Sequence, residues 1–207
     1  MRGLVHLRQF LTPCEQRALV ALAQRQPLAE HAFRRRYYGA IVPPLQALAD
    51  RALAAASDPL LPRVDYTHYI LLHYLPIHPP PEFYIPWHCD NGQNDGDADY
   101  PIVSFSVGDS CTLLVSPSKP RLVRGSPQAQ ALPYESGDAV IWGGPARGLW
   151  HAVKDVLPNS SPLPLPLPLV GRINFTLRCT PQLIGHEEQF REIPNSLPKR
   201  NRFYRLQ

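Results

Sequence analysis

Arg172-Ile-Asn-Phe-Thr-Leu-Arg178 alternates without a break, with Ile173, Phe175 and Leu177 on one side and Arg172, Asn174, Thr176 and Arg178 on the other. A period of two predicts a β-strand over 172–179, apolar on one face. The polar side of a half-solvated strand ordinarily mixes its charges, yet this one carries two arginines and no acid. A guanidinium fork matches a carboxylate bidentately, so this face suits a small carboxylate ligand. Upstream, Tyr69–Tyr74, Pro101–Val107, Thr112–Val115, Ala139–Trp142 and Leu149–Lys154 are also short and rich in β-branched or aromatic residues. Gly, Pro, Asp and Ser clusters separate them. Many short strands without intervening helices predict a sandwich or an open barrel of the jelly-roll kind.

Before Tyr66 the pattern is helical. Thr12-Pro13-Cys14-Glu15 offers a cap, a proline at the first helical position and an acid that reaches back to the cap. The helix is expected to run to about Arg25, burying Leu19, Leu22 and Ala23. A second helix follows Pro43-Pro44, with Leu45, Leu48, Ala49 and Ala52 at helical spacing and Ser57-Asp58-Pro59 as its stop. The expected organisation is one domain over 1–207. Residues 1–60 form a helical support with a short lid loop at 33–42, residues 66–180 the core, and 158–170 a Pro-Leu loop insert. Within that insert, Ser161-Pro-Leu-Pro-Leu-Pro-Leu-Pro168 cannot donate regular ladder bonds and reads as an extended loop.

Composition narrows the class. The 207 residues include 44% hydrophobic and 18% charged residues, a globular balance that excludes wholesale disorder. No run of eighteen apolar residues is present, so no membrane partner is expected. The first fourteen residues lack a secretory pattern. Cys14, Cys89, Cys111 and Cys179 lie far apart, which reads as reduced thiols. The expectation is an intracellular monomer in cytoplasm or nucleus, with the mitochondrion also compatible. A formal charge of +4 tolerates a polyanionic partner without requiring one.

Two further elements carry chemistry. His88-Cys89-Asp90 places an imidazole and a carboxylate on one face of an extended segment. Alone the pair says little, since chance supplies ~0.4 such pairs in a chain of this composition. Downstream, Ser136-Gly-Asp-Ala-Val-Ile-Trp-Gly-Gly144 leads through Arg147 to Trp150-His151, a strand, a glycine turn and a returning histidine. Two imidazoles and one carboxylate form the facial triad of non-haem Fe(II) oxygenases, which leaves three positions open.

With these motifs in order, the sequence resembles the AlkB family of Fe(II)/2-oxoglutarate-dependent dioxygenases over Tyr69 to Arg178. The resemblance rests on Tyr74-Leu-Pro, His88-Cys-Asp90, Pro101-Ile-Val-Ser-Phe-Ser-Val-Gly108, the 136–144 segment, His151 and above all R-x-N-x-T-x-R at 172–178. It implies an α+β, mainly β chain: a double-stranded β-helix (jelly-roll, cupin-like) core with N-terminal supporting helices. It further implies iron held by His88, Asp90 and His151. Arg172 would clamp the distal carboxylate of 2-oxoglutarate with Tyr74 and Asn174, and Arg178 would sit by the chelating end. Trp142 and Arg147 match positions near the substrate mouth. Fe(II), 2-oxoglutarate and O2 are the implied cofactors, and oxidative demethylation of N-alkylated bases in DNA or RNA the implied reaction. A hydroxylated N-methyl group leaves as formaldehyde.

Three departures stand out. Leu72 replaces an asparagine that contacts the cosubstrate in repair enzymes. Asn91-Gly92-Gln93 replaces an acid that reads the damaged base. The segment between the helices is much shorter than the recognition lid of nucleic-acid-repairing relatives. Arg34, Arg35, Arg36 and Tyr37, with Tyr38 beside them, could contact single-stranded DNA or RNA or simply form a charged surface. His68, His73 and His78 recur every five residues, but a strand would alternate their faces. Asp95-Gly-Asp97-Ala-Asp99 lacks the glycine and glutamate of a calcium loop. Two alternatives stay open: an oxygenase acting on a protein or small molecule, and a non-catalytic binding protein on a degenerate oxygenase fold.

Overall fold

A computed structural model describes residues 1–31, 33–90, 100–120 and 129–180. Eleven strands and two α-helices follow one another as β1 (Leu4–Leu7), α1 (Pro13–Gln24), β2 (Ala29–His31), β3 (Arg34–Ala40), α2 (Pro43–Ala56), β4 (His68–Tyr74), β5 (Ile85–Cys89), β6 (Ile102–Gly108), β7 (Cys111–Ser116), β8 (Gln130–Tyr134), β9 (Ala139–Trp142), β10 (Trp150–Val156) and β11 (Arg172–Arg178). The strands make two antiparallel sheets. The larger has the order β1-β9-β6-β11-β4-β3-β2, and the smaller the order β5-β10-β7-β8. The architecture is a double-stranded β-helix with the helices outside. None of the helices described is long and apolar enough to cross a membrane.

The alternation in β11 explains the layering. Ile173, Phe175 and Leu177 are fully buried and pack with Leu45, Ala49 and Ala52 of α2 and Leu19 and Ala23 of α1. The apolar face of the larger sheet is therefore sealed by the helices, and its polar face turns toward the smaller sheet. The capping box of α1 forms as the sequence dictates: Glu15 N–H donates to Thr12 Oγ1 and Thr12 N–H to Glu15 Oε2. Buried Gln16 accepts from Ser136 Oγ at 2.8 Å and ties α1 to the turn before β9. In the same turn Asp138 accepts from Gln9 N–H and pairs with His6 at 2.8 Å, which pins β1 in place.

The segment at 33–42 is not a loop. Residues 34–40 form β3, paired along its length with β4 from Arg34↔Tyr74 to Ala40↔His68. The first sixty residues are likewise more than a helical support, because β1, β2 and β3 extend the larger sheet at both ends. The Pro-Leu loop is extended and anchored at each end. Asp109 Oδ1 accepts from the N–H groups of Ser160 and Ser161, and Leu169 is buried in the core. Gly171, at its exit, has φ +119°, and a Cβ there would lie 2.2 Å from the Tyr74 carbonyl oxygen. Only glycine can turn the chain into β11 this closely against β4. Asn91-Gly92-Gln93 and the Asp95–Asp99 run lie outside the described residues.

Candidate active site

The two sheets enclose a cavity of about 270 Å³. Register builds its walls. Arg172 of β11 faces Tyr74 of β4, which faces Arg34 of β3, so three side chains stand in a row across three strands. One step along, Asn174, Leu72 and Arg36 form a second row, and Thr176, Ile70 and Tyr38 a third. All nine line the cavity.

At the other end, β5 and β10 pair so that His88 and His151 are direct cross-strand partners, with ring centroids 4.1 Å apart. Asp90 follows immediately after β5. His88 Nε2 lies 3.9 Å from Asp90 Oδ1, and His151 Nε2 lies 3.6 Å from Asp90 Oδ2. One donor atom from each of the three residues falls within 4.8 Å of the others. Each imidazole is oriented from behind. His88 Nδ1 is 2.9 Å from the Pro86 carbonyl, and His151 Nδ1 is 3.3 Å from that of Leu149. A carbonyl only accepts, so each Nδ1 donates to it, and Nε2 is the ring atom turned toward Asp90. Burial pushes the Asp90 carboxyl up, but the ion pair with Arg178 Nη2 and the neighbouring His151 and His88 hold it well below the ordinary carboxylate range. The result is an ionised carboxylate oxygen beside two imidazole Nε2 atoms, a donor set suited to a divalent transition metal.

Arg172 is almost wholly buried. Its guanidinium carbon lies 4.8 and 4.9 Å from the ring centroids of Tyr74 and Tyr134. Its Nε donates to Ser106 Oγ at 3.0 Å, while Nη1 is buried without a hydrogen-bond partner. An unpaired donor on a buried cation is costly and marks a place for an anion. Asn174 is fixed by donating to Ser104 Oγ and the Phe105 carbonyl and by accepting from Thr176 Oγ1.

Not every expected residue reaches this cavity. Trp142 lines it, with its ring 5.3 Å from that of His151. Arg147 does not: it lies in a 3-10 turn, buried, outside the lining. Strand alternation splits the basic run. Arg34, Arg36 and Tyr38 point inward. Arg35 pairs with Glu30 at 2.7 Å, and Tyr37 packs against Tyr69 on the helical side. No motif in the sequence marks Tyr134, Ser104 or Ser106 as part of the site. The two serines are readable from the alternation of Ser104-Phe-Ser106, whereas Tyr134 follows Pro133, which hides its strand. Leu72, in place of the expected asparagine, faces the cavity as an apolar contact. Among the histidines on β4, His73 donates from Nε2 to the Val170 carbonyl, and His68 bonds Thr67. Neither belongs to the donor cluster.

Residues 5–178 match the sequence profile of the 2OG-Fe(II) oxygenase superfamily. The chain is 42% identical over 81 residues to a DNA N(6)-methyladenine demethylase of Arabidopsis thaliana, ALKBH1D, a match covering 38% of this chain and 17% of that protein. It is 35% identical over 86 residues to an alpha-ketoglutarate-dependent dioxygenase AlkB homolog of Caulobacter vibrioides, covering 42% and 36%. It is 34% identical over 70 residues to the tRNA demethylase abh1 of Schizosaccharomyces pombe, covering 34% and 22%. These matches span from about a sixth to about a third of the curated relatives' own lengths. The structure of OsALKBH1 superposes with a TM-score of 0.66 at 18% identity, over 86% of this chain and 98% of that one.

Proposed function

The chain belongs to the 2OG-Fe(II) oxygenase superfamily, and from that premise we propose that it is an AlkB-like dioxygenase that oxidatively removes alkyl groups from base nitrogens of DNA or RNA. One observation carries the reading. The His88, Asp90 and His151 donor cluster opens onto the same cavity as the buried, unpartnered Nη1 of Arg172. A metal fits the donor cluster, and a carboxylate-bearing cosubstrate fits the open Nη1 of Arg172. His88, Asp90 and His151 would hold Fe(II). Arg172 would take the distal carboxylate of 2-oxoglutarate, with Tyr74 and Asn174 beside it. When bound, Fe(II), 2-oxoglutarate and O2 supply the oxidation of a C–H bond to C–OH, with release of succinate and CO2.

The chain's own part is positioning. Arg178 keeps Asp90 ionised and aimed, and the Pro86 and Leu149 carbonyls fix the imidazole tautomers. Burial of Tyr74 raises its phenol above its ordinary range, so it stays a neutral donor next to Arg172. Base-modified substrates are favoured by the similarity to a DNA N(6)-methyladenine demethylase and a tRNA demethylase and by the arginine-rich lining.

The test is succinate release from 2-oxoglutarate under Fe(II) and O2, with formaldehyde measured on methylated oligonucleotides. Succinate is expected from the intact chain and is lost in His88→Ala, Asp90→Ala and His151→Ala, because two ligands hold a weakly bound metal poorly. Normal turnover in any of the three would overturn the ligand assignment. Succinate without formaldehyde across the panel would overturn the substrate class.

A further inference from the structure

Tyr134 is the one side chain of β8 that lines the cavity. β8 is an edge strand of the smaller sheet, yet Tyr134 is fully buried. Its ring centroid lies 4.9 Å from the guanidinium carbon of Arg172. Its hydroxyl crosses to the larger sheet and donates to the Ser104 carbonyl at 2.7 Å. Ser104 Oγ, 3.1 Å from the same hydroxyl, accepts from Asn174 Nδ2. On another side, His6 of β1 meets the Tyr134 ring edge-on, with centroids 6.0 Å apart, while its Nε2 pairs with Asp138. The ring is therefore held at its hydroxyl and against β1. Burial keeps the Tyr134 phenol above its ordinary range, so the ring beside Arg172 stays neutral.

The charge balance around Arg172 gives this contact its meaning. The only carboxylate in the cavity lining is Asp90, and Arg178 engages it. Arg172 has Ser106 on Nε and the two tyrosine rings, and no acid. A carboxylate partner would fix the guanidinium equally well, but it would occupy a donor and cancel the charge. An aromatic ring attracts a cation through its quadrupole and does neither. We propose that Tyr134 is a positioning residue for the cosubstrate: from β8 it holds the Arg172 guanidinium in place, with its charge uncancelled, to receive the distal carboxylate of a 2-oxo dicarboxylic acid. The proposal rests on the oxygenase reading and adds a residue to its cosubstrate pocket. The ring acts on Arg172, and the hydroxyl acts on the ring by tying it to Ser104.

The test separates an effect through Arg172 from a general loosening of the fold. Binding of 2-oxoglutarate to the Fe(II)-loaded full chain is measured anaerobically by calorimetry, beside 2-oxovalerate. The second acid has the same length and the same keto-acid end, with a methyl in place of the distal carboxylate. The intact chain should prefer 2-oxoglutarate, and Arg172→Met should abolish that preference. Tyr134→Leu is expected to weaken 2-oxoglutarate about tenfold, the upper range of a desolvated cation–π contact. It should change 2-oxovalerate less than about twofold, which also shows that the variant is folded. Tyr134→Phe, which keeps the ring and loses only its tie to Ser104, should recover most of the loss. In the Arg172→Met background, Tyr134→Leu should cost nothing further, because the two residues act as one unit. Succinate release should show the same loss in KM with kcat nearly unchanged. Equal weakening of both acids by Tyr134→Leu, or additive losses in the double variant, would overturn the proposal. A preference that Arg172→Met removes and Tyr134→Leu retains would overturn it while leaving the oxygenase reading in place. An intact chain with no preference between the acids would overturn the docking of the cosubstrate on Arg172, and the proposal with it.

Discussion

Arg172 has two aromatic rings within 5 Å of its guanidinium carbon, a serine on Nε and no hydrogen-bond partner on Nη1. Shortening it to methionine preserves much of the stacked volume but removes the charge-assisted contact offered to a carboxylate. Such a contact is worth ~2–4 kcal/mol. Arg172→Met should therefore raise the KM for 2-oxoglutarate roughly a hundredfold in succinate-release assays, well beyond the effect of Arg178→Lys. An unchanged KM would mean that the cosubstrate docks elsewhere. Much at this scale is legible in the sequence. The alternation of 172–178 by itself assigns Arg172, Asn174 and Arg178 to one face. What is not legible is the sorting of Arg34, Arg35 and Arg36, because three identical residues have no parity of their own. Only the pairing of 34–40 with β4 decides which of them face inward.

Among elements, the strands found by pattern are those in the middles of the two sheets: β4, β6, β9 and β11 in one, β7 and β10 in the other. Those missed lie at or next to an edge. β5 contains Pro86 and β8 contains Pro133. A proline is tolerated where one side of the strand has no ladder to feed, and the same proline erases the strand signal in sequence. The central β4 has a consequence for acid stability. His68 and His73 are fully buried within it. Burial, with Arg178 nearby, pushes the His68 imidazole down to about 3, and burial also lowers His73. Below the unfolded value near 6.5 the unfolded chain takes up protons that the native state refuses, so stability falls as pH falls. The slope approaches ~1.4 kcal/mol per pH unit for each buried imidazole. Carboxylates act lower, which leaves pH 6.5 to 4.5 as the histidine window. Urea unfolding at pH 6.5, 5.5 and 4.5 should show this decline, and His68→Gln should flatten it by up to one imidazole's share. Parallel declines in both proteins would refute it.

Across the whole molecule, both flanks of the larger sheet come from the first forty residues, with β11 at its centre. β1, within the first seven residues, lies against β9, more than 130 positions later. Leu4, Val5, His6 and Leu7 meet Trp142, Ile141, Val140 and Ala139 in turn, and three of those four partners are fully buried. With β1 in place, the flank of β9 is satisfied. Without it, a row of bare amides and carbonyls beside Ala-Val-Ile-Trp becomes a template for another molecule's strand. The short N-terminal strand thus serves as a safeguard of solubility as well as a piece of the fold. Deleting residues 1–8 should turn a concentration-independent elution profile in size-exclusion chromatography into one that shifts to larger species as the protein is concentrated, and an unaltered profile would show that something else shields that flank.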